Sequence, residues 1–146
     1  MSKPINAYKN KRGSELKLFL AGALRNLGFE VEVEARVYYT ANGTQKYIHH
    51  DITITNTFPK IVLEIKVYMD TNMAWKFIGP QPLLNKLYPG QYKYAAIIGQ
   101  DASGADICIE HDNPVLVLDK NSRKTDDPLE VIQLDMTSLR EFIDAI

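Results

Sequence analysis

The chain has 146 residues, 45% of them hydrophobic and 24% charged, enough for one compact domain with its own core and too short for two catalytic domains. Its one cysteine, Cys108, excludes an internal disulfide framework, no run reaches the roughly 18 apolar residues of a membrane span, and Met1–Ser14 lacks a charged-then-apolar leader, so a reducing, cytoplasmic setting is the expectation. The net charge of −1 hides an asymmetry: residues 1–17 carry five bases against one acid and residues 60–94 five against two, while residues 101–146 carry eleven acids against four bases, a distribution that fits a polyanionic partner on one side only.

In chain order, Ser14 offers an N-cap, and Leu16, Phe19, Leu20, Ala23, Leu24 and Leu27 follow at helical spacing until Gly28. From Phe29 to Tyr38 the period switches to two, with Val31, Val33, Ala35 and Val37 alternating against Glu30, Glu32, Glu34 and Arg36, as in a half-exposed strand. Asn42-Gly43 predicts a hairpin turn into a second strand over Lys46 to Thr55, and a loop through Asn56-Thr57-Phe58-Pro59 leads to a third over Lys60 to Tyr68. These three form an expected antiparallel meander. Asp70-Thr71-Asn72 caps a short helix through Trp75 and Phe77, Gly79-Pro80-Gln81-Pro82 breaks it, and a second short helix through Leu83, Leu84 and Leu87 ends at Pro89-Gly90. Tyr94 to Ile98 and Val115 to Leu118 read as buried strands, with a weaker strand at Ile107–Ile109. Asn121–Asp127 is a polar loop, after which Ser138 and Glu141 make a capping box for a final helix using Leu139, Phe142, Ile143 and Ile146. The order predicts a single α+β domain over residues 1–146, of the α/β sandwich type, with a mixed central sheet.

Chemistry concentrates on the second and third strands. Glu64 and Lys66 share one face of Ile-Val-Leu-Glu-Ile-Lys-Val, a run apolar enough to be covered on both sides, where a charge costs several kcal/mol unless paired or bound to metal. An edge strand with one wet face, or a plain Glu–Lys ion pair, would account for them equally well in isolation. Asp51 is a second acid in an apolar-patterned strand, and antiparallel pairing lets it meet Glu64 at one end of the sheet. Two carboxylates converging beside a lysine suit a hard divalent cation such as Mg²⁺ or Mn²⁺ and hydrolysis of a phosphodiester.

Asp51, a gap of 13 positions, and then Glu64-Ile65-Lys66 between apolar strand residues resembles the PD-(D/E)xK nuclease superfamily, the fold of restriction endonucleases and archaeal Holliday-junction resolvases. The resemblance covers about residues 13–99, as a restriction endonuclease-like αβββαβ core, and leaves residues 100–146 as an extension with extra strands and a helix. His50 stands where the family often has proline before the aspartate. The resemblance implies a metal-dependent DNA endonuclease, structure-selective or restriction-type, that acts as a homodimer. It implies Asp51, Glu64 and the backbone carbonyl of Ile65 as metal ligands, with Lys66 orienting the attacking water. It further implies a catalytic and metal-binding role for Glu15 and an active-site or DNA contact for Gln81. Glu15, in the first turn of the predicted helix, also complements the helix dipole.

Lys9, Lys11 and Arg12 are candidate phosphate contacts, although solvated charges explain them as well. Neighbouring His49 and His50 point to opposite faces of their strand and do not make a zinc pair; His49 shares the face of Asp51, and His50 reads as packed. Cys108 reads as a small buried hydrophobe, and Trp75 with Phe77 as core. The alternative to an enzyme is a catalytically silent nuclease fold that binds DNA or a protein.

Overall fold

Helix α1 runs from Ser2 to Asn26 and reaches well before the expected start. Ser14 is therefore inside the helix and caps nothing. Pro4 falls in the first turn, where its missing N–H costs no helical bond, and of residues 5–15 Gly13 disfavours helix most, by about 1 kcal/mol, too little to break it. The computed structural model describes residues 2–100, 103–119 and 134–146, with the side chains of residues 2–12 and 119 outside the described set. The polar loop at Asn121–Asp127 lies outside the described residues.

Gly28, at φ +95°, ends the helical segment, and strand β1 follows over Val31–Ala41. Asn42 and Gly43 both take positive φ, as a tight hairpin turn requires, and return the chain as β2 over Thr44–Ile54. Strand β3 (Lys60–Lys66) pairs antiparallel with β2, which completes the expected meander. Two short helices come next, α2 (Thr71–Ile78) and α3 (Gln81–Leu87), with Asp70 Oδ1 accepting from the Met73 amide at 2.8 Å as the cap of α2. Strand β4 (Tyr92–Gln100) then inserts parallel to β3.

At Ile107–Ile109 the structure departs from expectation. These residues belong to helix α4 (Gly104–Glu110), which carries the chain back to β5 (Val115–Asp119), parallel to β4. A short apolar run does not by itself distinguish strand from helix, and a parallel pair needs a crossover that a hairpin cannot supply. Gly104, Ala105 and Cys108 are the buried positions of this helix, and Ala105 and Cys108, three residues apart, share one face. Helix α5 (Met136–Asp144) is capped by Asp135, whose carboxylate accepts from the Thr137 and Ser138 amides, and not by Ser138. Those bonds, with the Ser138 hydroxyl foremost, hold the Asp135 carboxyl below its ordinary range.

The result is an α+β domain with one five-stranded mixed sheet, in the order β1-β2-β3-β4-β5, covered on both faces. On one face Leu16, Leu20 and Leu24 of α1 and Leu139 and Ile143 of α5 pack on Ile52, Ile54, Leu63, Ile65 and Ile97. On the other, Met69, Ala74 and Ile78 from the α2 segment and Ala105 and Cys108 of α4 cover Ala96 and Ile98. Nearby, Leu84 of α3 packs on Val62 and Tyr94. Among the described residues no helix is long and apolar enough to cross a membrane.

One local feature sets up the site. Val33 and Ile52, paired across β1 and β2, pack in the α1 core, yet Val37 and Ile48, of the same parity and also paired, pack with Leu84 and Tyr94 on the opposite face. The two-stranded ribbon therefore turns over between them. Glu34 takes φ +57° at this bend, unusual for a side chain of its size, and Lys17 of α1 forms an ion pair with its carboxylate.

Candidate functional site

The bend in β2 pulls it away from β3. Their register runs Ile54↔Ile61, Thr53↔Val62 and Ile52↔Leu63 and stops there. At the next step the Ile65 amide, which faces the departing strand, donates to Asp51 Oδ2 at 2.9 Å. A carboxylate thus takes the place of a strand carbonyl, and it is held at the point where the sheet opens. The carbonyl of Ile65 lies on the same edge of β3, because a strand residue sends its N–H and C=O to one side.

Glu64 and Lys66 project from the other face of β3 than Leu63 and Ile65, as their parity requires. Lys66 Nζ lies 3.4 Å from Glu64 Oε1, with 36% of the Lys66 side chain and 18% of the Glu64 side chain exposed. The Glu64 carboxyl is pushed up from its ordinary value to about 7. Burial is the main cause and the Asp51 charge adds to it, while Lys66 opposes both without cancelling them. Asp51, Glu64 and Lys66 are therefore brought together as the spacing predicted, and the Glu64–Lys66 ion pair of the alternative reading is present too.

The surplus of negative charge bears on whether a cation fits. Two carboxylates next to one ammonium, in a half-buried notch, raise the proton affinity of Glu64, and a divalent cation would relieve the same repulsion. The donor set is all oxygen: Asp51, Glu64 and the Ile65 carbonyl. Among the described residues no three of His, Cys, Asp and Glu come together as a metal-ligating group. Glu15, half-buried on α1, is accordingly not gathered with Asp51 and Glu64.

Other candidates take different places. Gln81 is buried and committed to the fold: its Oε1 accepts from Asn113 Nδ2 at 3.0 Å and its Nε2 donates to the Phe77 carbonyl at 3.3 Å. Lys9, Lys11 and Arg12 lie on the first half of α1, with their side chains outside the described set. His49 does not turn to Asp51; its Nε2 accepts from Arg36 Nε at 3.2 Å. His50 is buried against the rings of Tyr92 and Tyr94, and burial lowers its pKa. Phe77 packs in the core as expected, whereas Trp75 stays 49% exposed with its ring 5.0 Å from that of His111. Cys108 is buried, and burial, helped by the Glu64 charge, pushes its thiol up, away from the reactive thiolate. Its proximity to Glu64 was hidden from the sequence because Ile107–Ile109 reads as strand there.

No family model matches the chain, and no curated protein does. Among solved structures it is similar to a crystal structure described as a protein of unknown function, AF1548. The two are 15% identical with a TM-score of 0.53, over 88% of this chain and 76% of that one. At that identity the likeness concerns the fold alone.

Proposed function

We propose that the chain is a divalent-metal-dependent DNA endonuclease of the PD-(D/E)xK type, built on a restriction endonuclease-like core. One arrangement supports this reading: Asp51, Glu64 and Lys66 meet where β2 leaves β3, with Asp51 locked by the Ile65 amide. An ion pair alone would need Glu64 and Lys66. It gives no reason for Asp51 to stand beside them and raise the proton affinity of Glu64.

In this reading Asp51, Glu64 and the Ile65 carbonyl would hold Mg²⁺ or Mn²⁺, which would lower the pKa of a bound water and offset charge on a phosphate. The Ile65 amide orients the Asp51 carboxylate by occupying one of its oxygens and leaving the other to ligate. Lys66, the more exposed of the pair, presents its ammonium at the mouth of the notch. There it donates to the attacking water and to a phosphate oxygen, where charge builds up in the transition state. DNA is the proposed substrate and, with one carboxylate pair per chain, cutting both strands of a duplex calls for a second copy.

Cleavage of supercoiled plasmid and of a synthetic four-way junction in Mg²⁺ or Mn²⁺ tests the proposal. The native chain is expected to cut one of them, with the preferred substrate separating a resolvase from a general endonuclease. Lys66→Ala is expected to cut at least about a hundredfold more slowly, the usual loss when one transition-state donor is removed. Binding without cutting by the native chain would favour the silent module instead.

A further inference from the structure

Beyond the bend at Glu34 and Asp51, the β1–β2 hairpin carries four ring or guanidinium side chains on its outward face. Register pairs Arg36 with His49 and Tyr38 with Tyr47, so they form a two-by-two block. Tyr38 is 44% and Tyr47 49% exposed, and Arg36 and His49 are exposed as well. The block is ordered by its own contacts. The Arg36 guanidinium lies over the Tyr47 ring, 4.5 Å from its centroid, and the Tyr47 ring lies 5.1 Å from that of His49 at 32°. Tyr38 meets Tyr47 edge-on at 5.9 Å. Arg36 Nε donates to His49 Nε2, which fixes the guanidinium plane.

Three observations bear on what this block binds. First, its neighbours on the same face, Glu34, Thr40 and Gln45, are polar, so the face offers no aliphatic surface for an apolar protein partner. Secondly, the Glu34 charge is taken up by Lys17, which leaves Arg36 as the charge that this face of the hairpin offers a partner. Thirdly, His49 and Tyr47 stand two and four residues from Asp51 on β2, at roughly 7 Å per two residues, so the block lies just across the ribbon bend from the carboxylate pair.

From these we infer that the Arg36–Tyr47 stack, flanked by Tyr38 and His49, is a platform for an unpaired base of the nucleic acid strand presented to Asp51 and Glu64. This deepens the nuclease reading and rests on it for the substrate class. Rings and guanidinium planes stack on any base, and Arg36 adds attraction to the backbone phosphates. The inferred substrate therefore has an unstacked or single-stranded nucleotide next to the cut, in preference to uninterrupted duplex.

The test uses a duplex carrying one unpaired 2-aminopurine beside the same duplex fully paired, in EDTA so that no cutting occurs. The native chain is expected to bind the unpaired form more tightly and to quench its fluorescence on stacking. Tyr47→Ala is expected to weaken that binding about tenfold and to lose the quenching, while Tyr47→Phe keeps both. Arg36→Gln is expected to weaken binding and to lower the salt slope by about one. Both positions are exposed, and unchanged melting temperatures verify that the variants fold. Equal binding by Tyr47→Ala, equal affinity for both duplexes, or no DNA binding by the native chain each overturns the platform. Plasmid cleavage in Mg²⁺ by the same preparations separates the two ideas. Cutting with binding that ignores Tyr47 overturns the platform and leaves the nuclease; binding that depends on Tyr47 without any cutting does the reverse.

Discussion

Glu64 is held in surroundings that favour its protonated form, and this has a thermodynamic consequence. Below its ordinary value of 4.5 the carboxyl is protonated in both folded and unfolded chains and costs nothing. As pH rises from there toward about 7, the unfolded chain releases the proton first, so stability falls; past that point the loss is on the order of 3 kcal/mol. Without metal, Glu64→Gln is therefore expected to raise the melting temperature at pH 8 by several degrees, with the gain shrinking toward pH 4.5. Mg²⁺ is expected to raise that of the native chain alone. A lower melting temperature for the variant at pH 8 would mean that the Glu64–Lys66 pair stabilises the fold on its own. At Asp51 the outcome depends on the acceptor: Asp51→Asn can keep the bond from the Ile65 amide, whereas Asp51→Ala leaves that donor unmatched at a cost of about 1–3 kcal/mol, readable by urea unfolding. The three charged residues were legible in the sequence because each interrupts an apolar strand pattern. The bond to the Ile65 amide was not, since it depends on where β2 parts from β3.

At the scale of elements, the strands of the meander were legible from strict alternation and the Asn42-Gly43 turn, and α2 from the Asp70 cap. The reach of α1 was not, because Ser14 has the chemistry of a cap while nothing before it stops a helix. Gln81 shows the same limit from the other side. It lies near the start of the helix after the Glu-x-Lys strand, and only the packing of Asn113 beside it reveals a structural role. Gln81→Leu is expected to lose about 1–3 kcal/mol of stability with no change in the cleavage rate of the folded protein; a large rate loss would return Gln81 to the active site. Helix α4 seats on the α2 segment through Gly104, whose amide donates to the Met69 carbonyl at 2.8 Å. A Cβ there would collide with the backbone carbonyls of Asp70 and Met69. Gly104→Ala is therefore expected to push α4 away and cost about 1–3 kcal/mol, measured as a lower urea midpoint.

Across the whole molecule, the sheet does two jobs with one irregularity. Its centre is covered on both faces and holds β3 rigid between β2 and β4. The ribbon bend then opens the β2–β3 seam at Asp51 and carries the aromatic hairpin past it, so a charged notch and an exposed stacking surface lie along one strand. Sequence periodicity showed the strands but not the bend, because residues on either side of it keep the same parity while packing on opposite faces. The most direct test of the central claim is plasmid cleavage in Mg²⁺ by the native chain beside Glu64→Gln, with the melting temperatures of both measured in the same buffer without metal. The expected result is a variant that is at least as stable as the native chain and does not cut, so that loss of activity cannot come from loss of fold. Cleavage by Glu64→Gln at the native rate would contradict the assignment of this carboxylate pair as the site of hydrolysis.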